Sequence, residues 1–512
     1  MSQAQPLHSP AAEPARGAHG TPRLVWLLPL HALVWTIAAW LSRGNLDTQG
    51  DMIENYVWGI EWQAGYAKHP PLFAWITAAW FRLFPHVDIA YFALSALNAM
   101  TGLLGIVALA GRFLPRRLAV VAGLAMAVSP LYSNLAIKFN ANSVLLSVWP
   151  WTAYFFVRFM QTGGWRAAIA LGALAAAAVL GKYFSVVLLL ALLLAALVRP
   201  AWRARLLRDW RSLLTVVAFV VVLTPHLHWL VVNHFPTFGY AEERTGGTLP
   251  AAVGRFGIYT LAQIGYLLLP FVFVVLLVRT RPGQAARQMA ERVVRPSRCP
   301  DLWWLAMAPL FVVGAIAIAA KTQMASVWGM AQWFAIVPLW LSLFSADETR
   351  IASGRAVRVM TGYWLIVLVA ATATGYLGAR HNTDDAAEPR AELSAAAHAL
   401  WKQRTGQELA IVAGSAHEAQ STAFYSDGHT RFWSFDEPRT TPWLTPSAVA
   451  QRGALLVCRS NDRECLARAA AFSGTSPVAV DVHKKAWGME LPARHYQLFL
   501  MLPQATAAAG TN

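Results

Sequence analysis

Asp47, Asp51, Glu54, Glu61, Lys68 and His69 crowd into one short stretch near the N-terminus of a chain that otherwise carries few acids in its first three quarters. A carboxylate can take a proton from a hydroxyl, and an ammonium or imidazole can hold an anion that forms as a bond breaks. Together these types suit a group transfer in which a hydroxyl attacks and an anion departs. The plain alternative is the solvated face of an amphipathic helix. A carboxylate beside lipid is costly unless paired or functional, so what surrounds the stretch decides between the two.

The surroundings are apolar. Of 512 residues, 56% are hydrophobic and 13% charged, about half the charge of a soluble domain. Mean hydropathy is +0.42 and there are 23 tryptophans, as expected of a chain with many membrane–water boundaries. Apolar runs lie near 24–41, 90–111, 118–136, 143–160, 167–181, 183–198, 212–231, 257–278, 303–320, 329–345 and 359–378, which predicts about eleven membrane-spanning helices. Every even-numbered run ends in arginine, for example Arg116 and Arg117, Arg203 and Arg205, or Arg292 and Arg295. By the positive-inside rule these ends are cytoplasmic, so the N-terminus lies inside and the C-terminus outside. The net charge of +16 follows the same division. Residues 1–378 hold 29 Lys and Arg against 13 Asp and Glu, whereas 379–512 hold 13 of each. The excess sits in short loops beside apolar runs, which argues against a nucleic-acid groove.

Counted this way, 42–89 is one large outer loop. Within 51–62 the polar set Asp51, Glu54, Asn55, Trp58 and Glu61 recurs at helical spacing, which predicts an amphipathic helix lying on the membrane surface. Pro70-Pro71 opens a second helix, 72–84, too short to cross. Residues 379–512 alternate helical patterns, such as 391–403, with β-like runs at 409–413, 454–458 and 497–501, and read as a small soluble α/β domain outside the membrane. The first 23 residues read as a disordered cytoplasmic leader, with no cleavable signal peptide before a retained first helix. Cys458 and Cys465 are close enough in sequence for a disulfide in an oxidising compartment. Two separate thiols satisfy the spacing equally, and Cys299 sits apart in an arginine-rich loop.

The stretch Gly50-Asp51-Met52-Ile53-Glu54-Asn55-Tyr56, then Trp58, then Gly65-Tyr66-Ala67-Lys68-His69-Pro70-Pro71-Leu72-Phe73-Ala74-Trp75 resembles the first periplasmic loop of bacterial C-type glycosyltransferases. These belong to the dolichyl-phosphate-mannose–protein mannosyltransferase superfamily, which includes the lipid A aminoarabinose and galacturonic acid transferases. Asp51 falls on the first acid of the family's acidic pair. Met52 stands where the second acid is usual, leaving Glu54, one turn later, to serve in its place. Leu180-Gly181-Lys182-Tyr183, the segment Pro225–Trp229 with 233–238, and the loop 321–333 are similar to later family segments. At 138–144, where many members carry an Asp, this chain has Lys138, Asn140 and Asn142. The resemblance covers roughly 24–345.

The resemblance implies an α-helical polytopic membrane fold and inverting transfer of a sugar from a polyprenyl-phosphate donor to a lipid A or other glycan acceptor. It takes place on the periplasmic face of the bacterial inner membrane. Asp51 is then the base, its proton affinity raised at a low-dielectric boundary, with Glu54 beside it. Lys68, His69, Lys182 and Lys321 bind the donor phosphate, although each lysine also suits an interfacial anchor whose ammonium snorkels to water. Tyr66 and Trp58 stack on substrate, with Trp75 a further candidate. No His, Cys and carboxylate set has metal-ligand spacing, so no cofactor is expected, with a divalent metal left open. Secondary transport is the competing class. It calls for ionisable residues at the bilayer midplane and for repeated halves, whereas here the ionisable residues gather at one surface. A membrane protein without chemistry is a third class, in which Asp51 is dispensable.

Overall fold

The computed structural model describes residues 24–503 apart from 243–245, 323 and 427. The leader expected over 1–23 lies outside the described residues. Helices bundle over the first three quarters of the chain, and a mixed sheet with flanking helices follows.

Each of the eleven apolar runs contains helix, yet fewer are long enough to cross. Among the described residues five helices are long and apolar enough to span a membrane: Asp88–Ala110, Ser212–Val232, Leu249–Leu277, Pro300–Ala319 and Ser353–Arg380. Two bent pairs bring the count to seven, namely Arg116–Ala127 with Pro130–Ile137 at 83° and Tyr183–Val198 with Pro200–Arg208 at 107°. The expected eleven spanning helices are therefore not all found as single helices of spanning length among the described residues. Leu27–Ser42, at 16 residues, rises only about 24 Å. The tenth run is broken into the short helices Ser326–Gly329, Ile336–Leu341 and Ser342–Phe344. Apolarity marks burial here rather than a full crossing.

Asp88–Ala110 packs on Leu27–Ser42 and Val144–Thr162, and Trp165–Gly181 packs on Val144–Thr162 and Ser212–Val232. The crossing at Gly102 is so close that a Cβ would enter the carbonyl of Leu146, which only glycine allows. In the large loop, Asp51–Gly59 and Leu72–Phe81 form two short helices, as the pattern predicts. The first does not lie on a membrane surface. Met52, Ile53, Asn55, Tyr56, Val57 and Trp58 are all buried, on both sides of the helix, because the C-terminal portion covers the side left open by the bundle. The second is ten residues long, too short to cross.

The C-terminal sheet comprises β1 (Ile411–Gly414), β2 (Arg431–Phe432), β3 (Ala454–Arg459), β4 (Val478–Val482) and β7 (Arg494–Met501), in the order β2-β1-β3-β7-β4. A two-stranded hairpin joins β5 (Lys485–Ala486) to β6 (Met489–Glu490). β1 runs parallel to β2 and β3, and β7 runs antiparallel to β3 and β4. Three of the strands coincide with the β-like runs read from sequence. Short β2 and half-exposed β4 carry no such apolar run.

Cys458, at the end of β3, is bonded to Cys465 in the helix Arg463–Ser473, with Cα atoms 5.7 Å apart. The bond closes a small loop and ties the helix to the sheet. Maleimide should therefore label Cys299 in the folded protein and reach Cys458 and Cys465 only after reduction. Replacing both by serine should lower stability by about 2 kcal/mol, read as a lower melting temperature. Two freely labelled thiols without reductant would contradict the bond.

Candidate active site

The site is built where the loop helix begins. The first N–H groups of a helix have no intrahelical partner. Here the carboxylate of Asp47 accepts from the N–H of Asp51 at 3.0 Å and of Met52 at 2.9 Å. Gly50 adopts φ +78° to turn the chain back over Asp47, and its bare Cα lies against the His417 ring. Two further bonds fix the helix: Asn55 donates to the Phe139 carbonyl at 2.7 Å, and Tyr91 donates to the Met52 carbonyl at 2.6 Å.

The Asn55 bond pins the helix to the segment carrying Lys138, Asn140 and Asn142. Lys138 pairs with Asp47 at 3.0 Å and with Asp51 at 2.8 Å. The Asn140 side chain donates to Asp51 at 3.0 Å, while its oxygen accepts from the N–H groups of Asn142 and Ser143 ahead of the helix Val144–Thr162. Asn142 in turn accepts from the Lys182 ammonium. Lys182 lies 5.1 Å over the Trp328 ring, so the late tryptophan loop reaches the same place. On the other side of Asp51, Glu54 pairs with Lys68 at 2.7 Å, and Lys68 lies 5.6 Å over Trp58. His226, from the segment Pro225–Trp229, joins Tyr183 at 2.6 Å to the Ala64 carbonyl at 2.7 Å.

Burial pushes the Asp51 carboxyl up, as the sequence suggests. The Lys138 ammonium, the Asn140 amide and the charge of His69 outweigh it, so Asp51 ends below the usual carboxylate range. The expected rise is therefore corrected to a fall, and the cause is a cation from the next segment. Glu54 goes the other way: burial raises it, and the Lys68 ammonium offsets only part of that rise. Lys138 is lowered by burial and raised more strongly by Asp47 and Asp51, ending above the usual lysine value.

Asp51, Glu54, Lys68, His69 and Lys182 thus come together. Lys321 does not join them. It stands just after the helix Pro300–Ala319 with φ +48°, its carbonyl accepts from the Gly247 N–H, and its exposed ammonium enters none of the cluster's hydrogen bonds among the described residues. Trp58 and Tyr66 are each 1% exposed and stack on one another at 5.2 Å, and Trp443 meets the Tyr66 ring edge-on. Neither ring presents a free face for a sugar, which corrects the expected stacking role. Their packing instead seats Lys68. Trp75 donates to the Gln63 carbonyl at 2.9 Å and braces the loop. Among the described residues no three His, Cys, Asp or Glu side chains gather as a metal site would need. Sequence reasoning left Asp47, Lys138 and Asn140 out of the site. The single lysine at 138, in a segment where a carboxylate is usual, was the signal available.

Residues 68–229 match the family described as dolichyl-phosphate-mannose-protein mannosyltransferase. Over 222 residues the chain is 27% identical to the lipopolysaccharide core galacturonosyltransferase RgtA of Rhizobium johnstonii, a match spanning 41% of this chain and 43% of RgtA. The fold superposes on the crystal structure of ArnT from Cupriavidus metallidurans bound to undecaprenyl phosphate with a TM-score of 0.56 at 16% identity, covering 96% of this chain and 100% of that one. The architecture is that of a multi-pass membrane protein with the C-type glycosyltransferase fold. Residues 68–229 are thus similar to that family, and the fold is shared with the ArnT structure.

The ion cluster sets a stability test. An Asp with a lowered folded pKa stabilises the fold above its unfolded value of 3.8 and loses that contribution as pH falls through the folded value. Lys138→Met leaves Asp47 and Asp51 without their shared counter-charge. At pH 7 it should cost about 2 kcal/mol, a figure discounted because Asp51 is partly exposed. Burial of Asp51 is then opposed only by Asn140 and His69, so Asp51 takes up a proton more readily and the deficit should narrow as pH falls. Melting temperatures at pH 7 and pH 4 check this, and an equal deficit at both would remove the pair from the account.

Proposed function

We propose that this protein transfers a sugar from a polyprenyl-phosphate donor to a lipid- or glycan-linked acceptor, such as lipopolysaccharide, on the periplasmic face of the bacterial inner membrane, with inversion. The observation that carries the reading is the Asp51 carboxylate, held ionised by Lys138 and Asn140 at the start of the loop helix, with the cations Lys68, His69 and Lys182 around it. RgtA acts on lipopolysaccharide core and the ArnT structure holds undecaprenyl phosphate, which supports the kinds of acceptor and donor.

In this reading an acceptor hydroxyl gives its proton to Asp51 as its oxygen bonds to the anomeric carbon. The carbon–oxygen bond to phosphate breaks on the opposite face, so one displacement inverts the centre. The departing phosphate gains charge, which Lys182 and Lys68 are placed to stabilise. A carboxylate with a lowered pKa is a weaker base but is ionised throughout the neutral range. Glu54 is a second reading for the base, favoured by its raised proton affinity and its position one turn away.

Asp51→Asn should slow transfer by roughly 10²–10⁴-fold with donor binding preserved, because an amide cannot take the proton. Glu54→Gln should be milder. Assays with purified protein, undecaprenyl-phosphate-linked sugar and lipopolysaccharide acceptor decide this, and a larger loss in Glu54→Gln would move the base to Glu54. Lys182→Ala should weaken donor use more than acceptor use.

The orientation belongs to the same proposal: N-terminus cytoplasmic, C-terminal domain periplasmic. Reporter fusions should read inside at Arg205 and Arg292 and outside at Gly247 and Ser426. A cytoplasmic reading at Ser426 would place the site on the wrong face for this reaction.

A further inference from the structure

At the end of the bundle remote from Asp51 lies a cavity of about 250 Å³ into which Arg292, Arg295, Arg298 and Arg350 converge. The helix Ser353–Arg380 sets the separation. It begins beside Arg350 and ends beside the loop and the C-terminal portion, and its 28 residues rise about 42 Å.

One wall of the cavity is the cross-helix Pro282–Val294, which buries Ala285 and Met289 and carries Arg292 on the same face, with Arg287 turned outward. Its far end is fixed by Trp303, which donates to the Val293 carbonyl at 2.6 Å. Arg350 is brought in by a bridge between Val278 and Ile351 and by the Arg279 N–H donating to the Arg350 carbonyl at 2.8 Å. The charge is poorly balanced. The single acid on the lining, Glu291, is paired with Arg287, which lies off the cavity. Among the described residues the Arg350 guanidinium makes a long contact with Gln288, at 3.5 Å, and lies over the Phe344 ring at 5.0 Å. The Nε of Arg292 is buried and has no hydrogen-bond partner among the described residues. A buried guanidinium N–H without an acceptor is costly, and an oxyanion removes that cost.

We propose that this cavity binds the phosphate of an anionic phospholipid headgroup from the adjacent leaflet. Four guanidinium groups in a small cavity suit a phosphate oxyanion, which planar forks bind with paired N–H donors. Apolar side chains stand at the rim where acyl chains would run. Val294, adjoining Arg295 in the chain, is 77% exposed, and Leu343 lines the wall. A soluble phosphate compound makes no use of that rim. The site is independent of the sugar-transfer reading.

The test uses full-length protein in phosphatidylcholine nanodiscs doped with phosphatidylglycerol, with lipids retained after release counted by native mass spectrometry. Wild type should retain phosphatidylglycerol over phosphatidylcholine by about tenfold. Each arginine near a headgroup contributes roughly fivefold, so Arg292→Gln with Arg350→Gln should abolish the preference. Arg292→Lys with Arg350→Lys should keep most of it, and Arg287→Gln should change nothing. If the double Gln variant does not fold, Arg298→Gln at the exposed rim should still cost roughly fivefold. Unchanged retention in the Gln variants, or no preference over phosphatidylcholine, overturns the proposal. So does a thermal shift with 10 mM inorganic phosphate (about that concentration) equal to the shift with lipid, which assigns the cavity to free phosphate.

Discussion

One ammonium between two carboxylates holds the site together. Lys138 reaches both Asp47 and Asp51, and each of the three depends on the others. Asp47 is almost fully buried, and its carboxylate is already committed to the helix N–H groups of Asp51 and Met52. Without Lys138, two carboxylates would face one another in a poorly solvated place with no shared counter-charge. With it, the loop helix is capped, and its first side chain, Asp51, is held below the usual carboxylate range. The position of Asp51, its protonation and the start of the helix are therefore one property seen three ways.

The same logic explains why the C-terminal portion is bound so firmly to the loop. Arg390 donates both guanidinium N–H groups to the Asp47 carbonyl, at 3.3 and 3.4 Å. Arg431 forms a two-point pair with Glu61, Tyr425 donates to Asp88, and Lys484 reaches the Gly44 carbonyl. Between these polar contacts Tyr56, Phe81 and His86 enclose Phe424 edge-on, an apolar and aromatic contact that excludes water from the back of the loop helix. Polar contacts set the register and aromatic burial supplies the adhesion.

Much of this was legible in the sequence, and the rest was hidden for physical reasons. Apolar runs, the acid-rich loop and three of the five sheet strands follow from local pattern, because hydrophobic periodicity is a local property. The breaks in the third and tenth runs are not local, since apolarity says that a segment is buried without saying whether it is straight. The loop helix was read as lying on a membrane because its polar positions repeat at helical spacing. In the structure those positions are spent on Phe139, Lys68 and Arg431. The resemblance implied that Trp58 and Tyr66 stack on substrate, whereas in the structure both are buried and stack on one another. Lys138 was noticed only as a missing acid. Its partnership with Asp51 joins residues far apart in the chain, and no spacing rule reaches across that gap.

The Arg390 clamp has a consequence for how the protein is made. The guanidinium and the Asp47 carbonyl it holds are 343 residues apart in the chain. A chain inserted from its N-terminus exposes the acid-rich loop long before Arg390 is synthesised. During that interval the loop lacks the cover that buries its helix, and closing so long a loop is an entropic cost met only at the end. The order of synthesis thus acts as a timer. The bundle is made first, the last quarter of the chain follows and closes with its disulfide, and only then does the acidic cluster acquire its final geometry. A chain stalled before that point would be inserted with its acidic loop still uncovered.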